Sequence, residues 1–220
     1  MDTWIYFIIT LLYLGLLMYG LTLFLGDSIR SACYSLLAVT AALVWDNGVM
    51  AAGTTIGEGD LLESLNLARY WLHAFCTPLL VLVSYDLIRR TGSPWAATTA
   101  ARGAAWLFTA GLIIMELATH TFSLQLRPVL EYGALRYVPA EETSGPSLLV
   151  ILIMIPLFTA GVVLWKRKVT SLLFWGTLIM LAGSAIPVPL ESSAATNVLE
   201  LILIASLWLA IRAQQRQSSH

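Results

Sequence analysis

The chain has 220 residues, of which 58% are hydrophobic and only 11% charged, with a net charge of −1 and a mean hydropathy of +0.79. A soluble domain carries roughly 25% charged residues, and a net charge near zero excludes a partner recruited by charge, nucleic acid included. Apolar runs close to 20 residues long match the helix length that crosses about 30 Å of hydrocarbon, and their lack of polar–apolar alternation excludes a transmembrane barrel.

The sequence therefore predicts an all-α membrane protein, a single domain over residues 1–220 built as a bundle of seven transmembrane helices. The expected spans are Trp4–Leu25, Ala32–Ala52, Leu67–Ile88, Ala101–Thr121, Ser147–Trp165, Thr170–Val188 and Ala194–Ile211. The breaks fall at Gly26-Asp27-Ser28, Gly53–Ser64, Gly92-Ser93-Pro94, Ser144-Gly145-Pro146, Lys166-Arg167-Lys168 and Pro187–Ser193, all rich in turn formers or charge. The first span has no basic flank and no small-residue cleavage site, and reads as a retained helix. Between the fourth and fifth spans, Phe122–Gly145 is too long for a structureless connection. Its two short runs, Leu124–Tyr132 and Leu135–Val138, predict a hairpin turning at Gly133-Ala134, a lid over residues 122–145.

Arg30, Arg89, Arg90, Arg102, Lys166, Arg167, Lys168, Arg212 and Arg216 fall on one side of these spans, and Arg69, Arg127 and Arg136 on the other. The positive-inside rule places the first set in the cytoplasm. The N-terminus is then outside and the C-terminus cytoplasmic, in the plasma (inner) membrane if the source is prokaryotic. Cys33 and Cys76 differ in depth by about 15 Å on a 1.5 Å rise, too far for a disulfide, and read as packing residues.

Depth follows from helical rise. Asp46 lies sixteen residues above Arg30, about 24 Å from the inner face. Arg69, His73, Glu116, His120, Asn47, Asn66, Asn197 and Glu200 fall in the same outer half. Asn66, Arg69 and His73 recur at i, i+3 and i+7, and Glu116 and His120 at i, i+4, so each set shares a helix face. Charges at that depth are expensive unless they face the bundle interior or water. They are expected around an outward-opening polar cavity, with Arg69 paired to Asp46 or Glu200 and Glu116 competing. The structural alternative is a buried network that only fixes helix register.

Several chemistries are excluded or demoted. A retinal Schiff base needs a lysine in the bundle, and the only lysines are Lys166 and Lys168. A zinc site wants three or four ligands, and no His-x-x-x-His or Cys-x-x-Cys pattern is present, so no metal and no cofactor are expected. Haem between His73 and His120 stays open as an alternative. What remains is carboxylate chemistry on a hydrophobic substrate. A carboxylic acid in a low-dielectric region can protonate an alkene or epoxide, and aromatic faces such as Trp45, Tyr34, Tyr70, Trp71 and Trp106 can stabilise the cation that develops.

On Trp45-Asp46 and Glu200 the chain resembles the integral membrane terpene cyclases of fungal meroterpenoid pathways, and more distantly the membrane lycopene cyclases. The resemblance implies a seven-helix body with one acid after a tryptophan in the second span and another in the seventh. This chain has Asp46 where the fungal enzymes usually carry Glu. Val138-Pro139-Ala140-Glu141-Glu142 is similar to the Pro-x-Glu-Glu pattern of lycopene cyclases but falls in a loop. The expectation is an isomerase- or lyase-type membrane enzyme acting on an isoprenoid or other lipid. Asp46, Glu200 and Glu116 are its candidate catalytic acids; Trp45, Asn47, Asn66, Arg69, His73, His120 and Asn197 line its substrate site. Its partners are membrane lipids and a hydrophobic small molecule. A non-catalytic lipid-binding or transport protein, or a haem-binding one, is the alternative.

Overall fold

The computed structural model describes residues 2–26, 30–140, 148–185 and 192–218. Among them the chain forms eight α-helices: α1 (Asp2–Gly26), α2 (Arg30–Ile56), α3 (Asp60–Cys76), α4 (Leu79–Arg90), α5 (Thr99–Glu116), α6 (Leu148–Lys166), α7 (Leu172–Ala185) and α8 (Ala195–Ser218). A hairpin of β1 (Leu126–Glu131) and β2 (Ala134–Pro139) stands between α5 and α6. Six stretches are long and apolar enough to cross a membrane: Asp2–Leu25, Ala32–Ile56, Asp60–Arg90, Thr99–Thr121, Leu148–Lys166 and Ala195–Gln217. The seventh expected span, α7, has 14 residues, about 21 Å. The expected Glu141 and Glu142, and residues 186–191, lie outside the described residues.

Two boundaries differ from expectation. The Gly53–Ser64 break shrinks to residues 57–59, because α2 continues to Ile56 and α3 begins at Asp60. The third span is two helices: Pro78 offers no N–H to the carbonyl of Ala74, and its ring would clash there in a continuous helix. The chain crosses the interruption by short-range bonds, Leu80 N to Thr77 O at 3.1 Å and Val81 N to Pro78 O at 3.0 Å.

The core forms around α2, which packs against α1, α3, α4 and α8. Leu36, Leu87, Leu157, Leu164, Leu173 and Trp208 are fully buried within it. The Trp208 ring fits against α1 only because Gly20 has no Cβ to meet it, and its Nε1 donates to Thr40 Oγ1 at 3.1 Å. At one end Asp86 is held by Arg89 at 2.7 Å and Arg90 at 2.8 Å. Outward faces are apolar: Leu107 is 76% exposed, with Ile114, Trp106 and Met18 also well exposed, a surface suited to hydrocarbon.

At the other end sits the hairpin. Its turn is Tyr132-Gly133, one residue earlier than expected, with φ of 49° and 83°, the two positive values of a type I′ turn. Ala134 therefore enters β2 opposite Glu131 and is buried with Tyr6, Met50 and Ala194, a contact that decides the register. Pro128 faces Tyr137; in a two-stranded ribbon both strands are edges, so its missing donor is tolerated. The turn is strapped to α1 by Asp2 N to Tyr132 O at 3.1 Å and Thr3 Oγ1 to Gly133 O at 2.6 Å. The backbone of α2 meets the Leu135 carbonyl at Gly53, where a side chain would not fit.

α6 and α7 also approach closely: a Cβ on Gly161 would lie 2.8 Å from the Phe174 Cα. Gly161→Leu should therefore cost about 1–3 kcal/mol through overpacking, read as a lower midpoint of thermal unfolding in detergent. Gly111→Ala, which meets nothing within 4 Å, should leave that midpoint unchanged or raise it.

Candidate functional site: an ion pair and three asparagines between three helices

The polar cluster lies toward the hairpin end, where α2, α3 and α8 meet. On α2, Val39, Ala42, Leu43 and Asp46 form an i, i+3, i+4, i+7 stripe that makes one wall of a recess; Arg69, His73, Cys76 and Thr77 of α3 make the other. Three of those four sit at or just before the Pro78 interruption. Broken backbone of this kind is tolerated in a bundle where it is buried in protein or lines a polar cavity.

Arg69 Nε contacts Asp46 Oδ1 at 2.9 Å, with the two side chains 11% and 23% exposed. A guanidinium carries further donors in a fixed fork. Here Nη1 donates to Asn66 Oδ1 at 2.8 Å, and the group stacks 4.8 Å from the Tyr70 ring centre. Asn66 and Asn47 are both fully buried. Each donates its amide to the carbonyl four residues back, Asn66 to Leu62 at 2.8 Å and Asn47 to Leu43 at 3.0 Å. The amides are thereby oriented, and their oxygens are left as acceptors. Asn197 of α8 spans the gap, donating to Asn47 Oδ1 at 3.1 Å and Asp46 Oδ2 at 3.4 Å. The Asp46 carboxylate is thus gripped from two helices.

The hairpin is tied to this cluster. Tyr70 Oη donates to the Tyr137 carbonyl at 3.3 Å, and the Tyr137 hydroxyl accepts from Gly59 N at 3.1 Å. A chain of contacts therefore runs from β2 through Tyr70 and Arg69 to Asp46 and α8.

Of the expected residues, Asp46, Asn47, Asn66, Arg69 and Asn197 are bonded into one network. Arg69 chooses Asp46. His73 lines the recess, its Nδ1 at 3.1 Å from Thr77 Oγ1. Glu200 shares the α8 face of Asn197, one turn along, and has no hydrogen bond or ion pair among the described residues. Glu116 and His120 form a separate pair at 3.6 Å at the wider π turn that ends α5, Leu117–Thr121. His120 Nδ1 also bonds Thr119 Oγ1 at 2.7 Å. No bond joins Glu116 or His120 to the Asp46–Arg69 pair among the described residues, so Glu116 is a neighbour of the site rather than a member.

The aromatic expectation is corrected for most of its residues. Trp45 is 40% exposed and outside the recess lining. Tyr34 packs at a tilt against Phe24, Trp71 stacks on Phe75 and meets Phe122 edge to face, and Trp106 looks outward from α5; of the expected rings only Tyr70 touches the network. Nearness in sequence does not fix position in space: Tyr34 and Trp106 lie about 18 and 15 Å along their helices from Asp46 and Glu116, and even adjacent residues such as Trp45 and Asp46 differ by about 100° in direction. Cys76, read as packing, lines the recess with Thr77. Their signal was Pro78 two and one residues later, which the apolar run around it concealed.

The recess is small. It has room for about one water molecule, so a chain-length lipid does not fit inside it in this conformation. No group of three or more His, Cys, Asp or Glu side chains arranged to hold a metal occurs among the described residues. The fold and site together define a helical bundle with six membrane-length apolar stretches and an acid–base cluster between helices. Comparison with protein-family models, with curated proteins and with solved structures gives no match.

Removing Arg69 leaves Asp46 without a counter-charge. Arg69→Met should destabilise by about 2–3 kcal/mol, less than a fully buried pair because Asp46 reaches the recess. Adding Asp46→Asn should restore part of that loss. The double-mutant cycle, measured by thermal unfolding in detergent, should give a coupling of about 1 kcal/mol or more.

Proposed function

We propose that the chain is an integral membrane protein of seven spans, with the hairpin end outside and the Lys166-Arg167-Lys168 end in the cytoplasm. In a prokaryote that membrane is the plasma (inner) membrane. We propose further that the cluster is the acid–base site of an enzyme acting on an isoprenoid or similar lipid, in the manner of the membrane terpene cyclases that the sequence resembles.

The observation that carries this reading is the contrast between two carboxyl groups. Asp46 is held as an anion by Arg69 and receives the Asn197 amide. Glu200, one turn farther along α8, has no partner among the described residues. An isolated charge inside a bundle is costly, which makes Glu200 the group that carries a proton and Asp46 the group that does not. Two carboxyls in opposite states are the arrangement acid–base chemistry uses. Glu200 gives its proton to an alkene carbon or epoxide oxygen, a cation develops and rearranges, and a proton lost from it returns to a carboxylate. The product is an isomer of the substrate, and no redox partner is required.

The recess, water-sized and lined by Asp46 but not by Glu200, widens toward α8 to admit the reacting atoms and not the chain. The apolar remainder of the substrate lies outside the recess, and the hairpin shifts to admit it as a lid. The same small size favours a second reading, a network that only fixes the register of α2, α3 and α8, in which no turnover occurs.

Mass spectrometry of small molecules extracted with the detergent-purified protein separates the two. Wild type, Asp46→Asn and Glu200→Gln should carry different isoprenoids or lipids, with substrate accumulating in the variants. An identical lipid inventory in all three proteins, with only a lower unfolding temperature in the variants, rules out catalysis by this pair.

A further inference from the structure

α1 contributes nothing to the network of Asp46 and Arg69, yet it carries a polar group in the same layer. Tyr13 is 0% exposed, and its hydroxyl has no hydrogen-bond partner. A buried hydroxyl without a partner is uncommon and costly.

The packing of α1 against α8 shows what that hydroxyl faces. The two helices start together at the hairpin end, where Tyr6 Oη lies 2.9 Å from Ser193 Oγ and the Asp2 carboxylate accepts from Ser193 N at 2.7 Å. They stay in step: Gly20 lies under the Trp208 ring, and Gln215 Nε2 donates to Leu23 O at 3.1 Å. Tyr6, Tyr13 and Gly20 are spaced by seven, one face of α1. Asn197, Glu200, Ile204 and Trp208 are spaced by three, four and four, one face of α8. The outer and inner members of these stripes meet, and interpolating between them sets Tyr13 level with Glu200.

We propose that Tyr13 is a positioning residue for Glu200: the two side chains make no hydrogen bond in this conformation, and a rotation of the Glu200 side chain brings its carboxyl onto the Tyr13 hydroxyl, which directs the remaining acidic proton toward Asp46 and the recess. This rests on the reading of Glu200 as the proton donor. A neutral carboxyl has a carbonyl oxygen that accepts and one O–H that donates. With Tyr13 donating to the carbonyl oxygen, the Glu200 O–H points away from α1. When Glu200 releases its proton to substrate, the Tyr13 hydrogen bond stays and strengthens on the anion. The phenol keeps its own proton throughout.

The site is testable without a substrate, by infrared spectroscopy of the carboxylic acid C=O stretch. Glu200→Gln should remove one protonated-carboxyl band, which assigns it. Tyr13→Phe should keep that band and move it to higher frequency, as a carbonyl does on losing a donor. A band that stays in place in Tyr13→Phe overturns the proposal, as does the absence of any band lost in Glu200→Gln. Should Tyr13→Phe not fold, the wild-type band decides: a frequency typical of a free carboxyl also overturns it. Lipid turnover is read in a separate experiment, so a Tyr13–Glu200 bond in a protein without turnover remains distinguishable from a failed bond.

Discussion

Arg69 and Asp46 have to be compensated before anything else in this bundle can be arranged. Either charge alone among packed helices would be prohibitive, so α2 and α3 are fixed at the height and rotation that bring the two groups to 2.9 Å. The rest follows from satisfying the donors and acceptors that remain. Asn66 takes a second guanidinium donor, and Asn197 draws α8 to the free carboxylate oxygen and to Asn47. Buried networks of this kind are favourable only when every member is satisfied. Here Asn47 and Asn66 achieve it by turning their amides back on their own helices, and Asn197 by donating across to α2.

That constraint extends to the hairpin. Tyr70 stacks on the Arg69 guanidinium and donates to the backbone of β2, so the position of the site's cation and the seating of the hairpin are linked. The hairpin itself is anchored at α1 by Asp2 and Thr3 and excludes any side chain at Gly53. Moving it would break several of these contacts together. Its displacement would also loosen the grip on Asp46, through Tyr70 and Arg69. Pro78 contributes from the opposite direction, since the interruption it imposes sets His73, Cys76 and Thr77 around the recess instead of packing them into a continuous helix.

The water-sized recess and the outward-facing tryptophans bear on chemistry. A cyclase-type site needs aromatic faces close to the developing charge, and Tyr70 is the one expected ring that meets the network, its face already covered by Arg69.

Composition and run length by themselves determined the helical class and the membrane-length apolar stretches, because solvation of the backbone in hydrocarbon leaves few alternatives. Helical periodicity determined that Asn66, Arg69 and His73 share one face of α3. Rotation and pairing were decided only by tertiary structure. Sequence left Arg69 with Asp46 and Glu200 as equal partners, and α8 packing gave Asp46 to it while leaving Glu200 alone. Trp45 and Asp46 are neighbours in the chain and diverge in space, since depth is a linear function of residue number and direction is not. Tyr13 carried no signal, because a tyrosine in an apolar run is unremarkable until packing buries its hydroxyl without a partner.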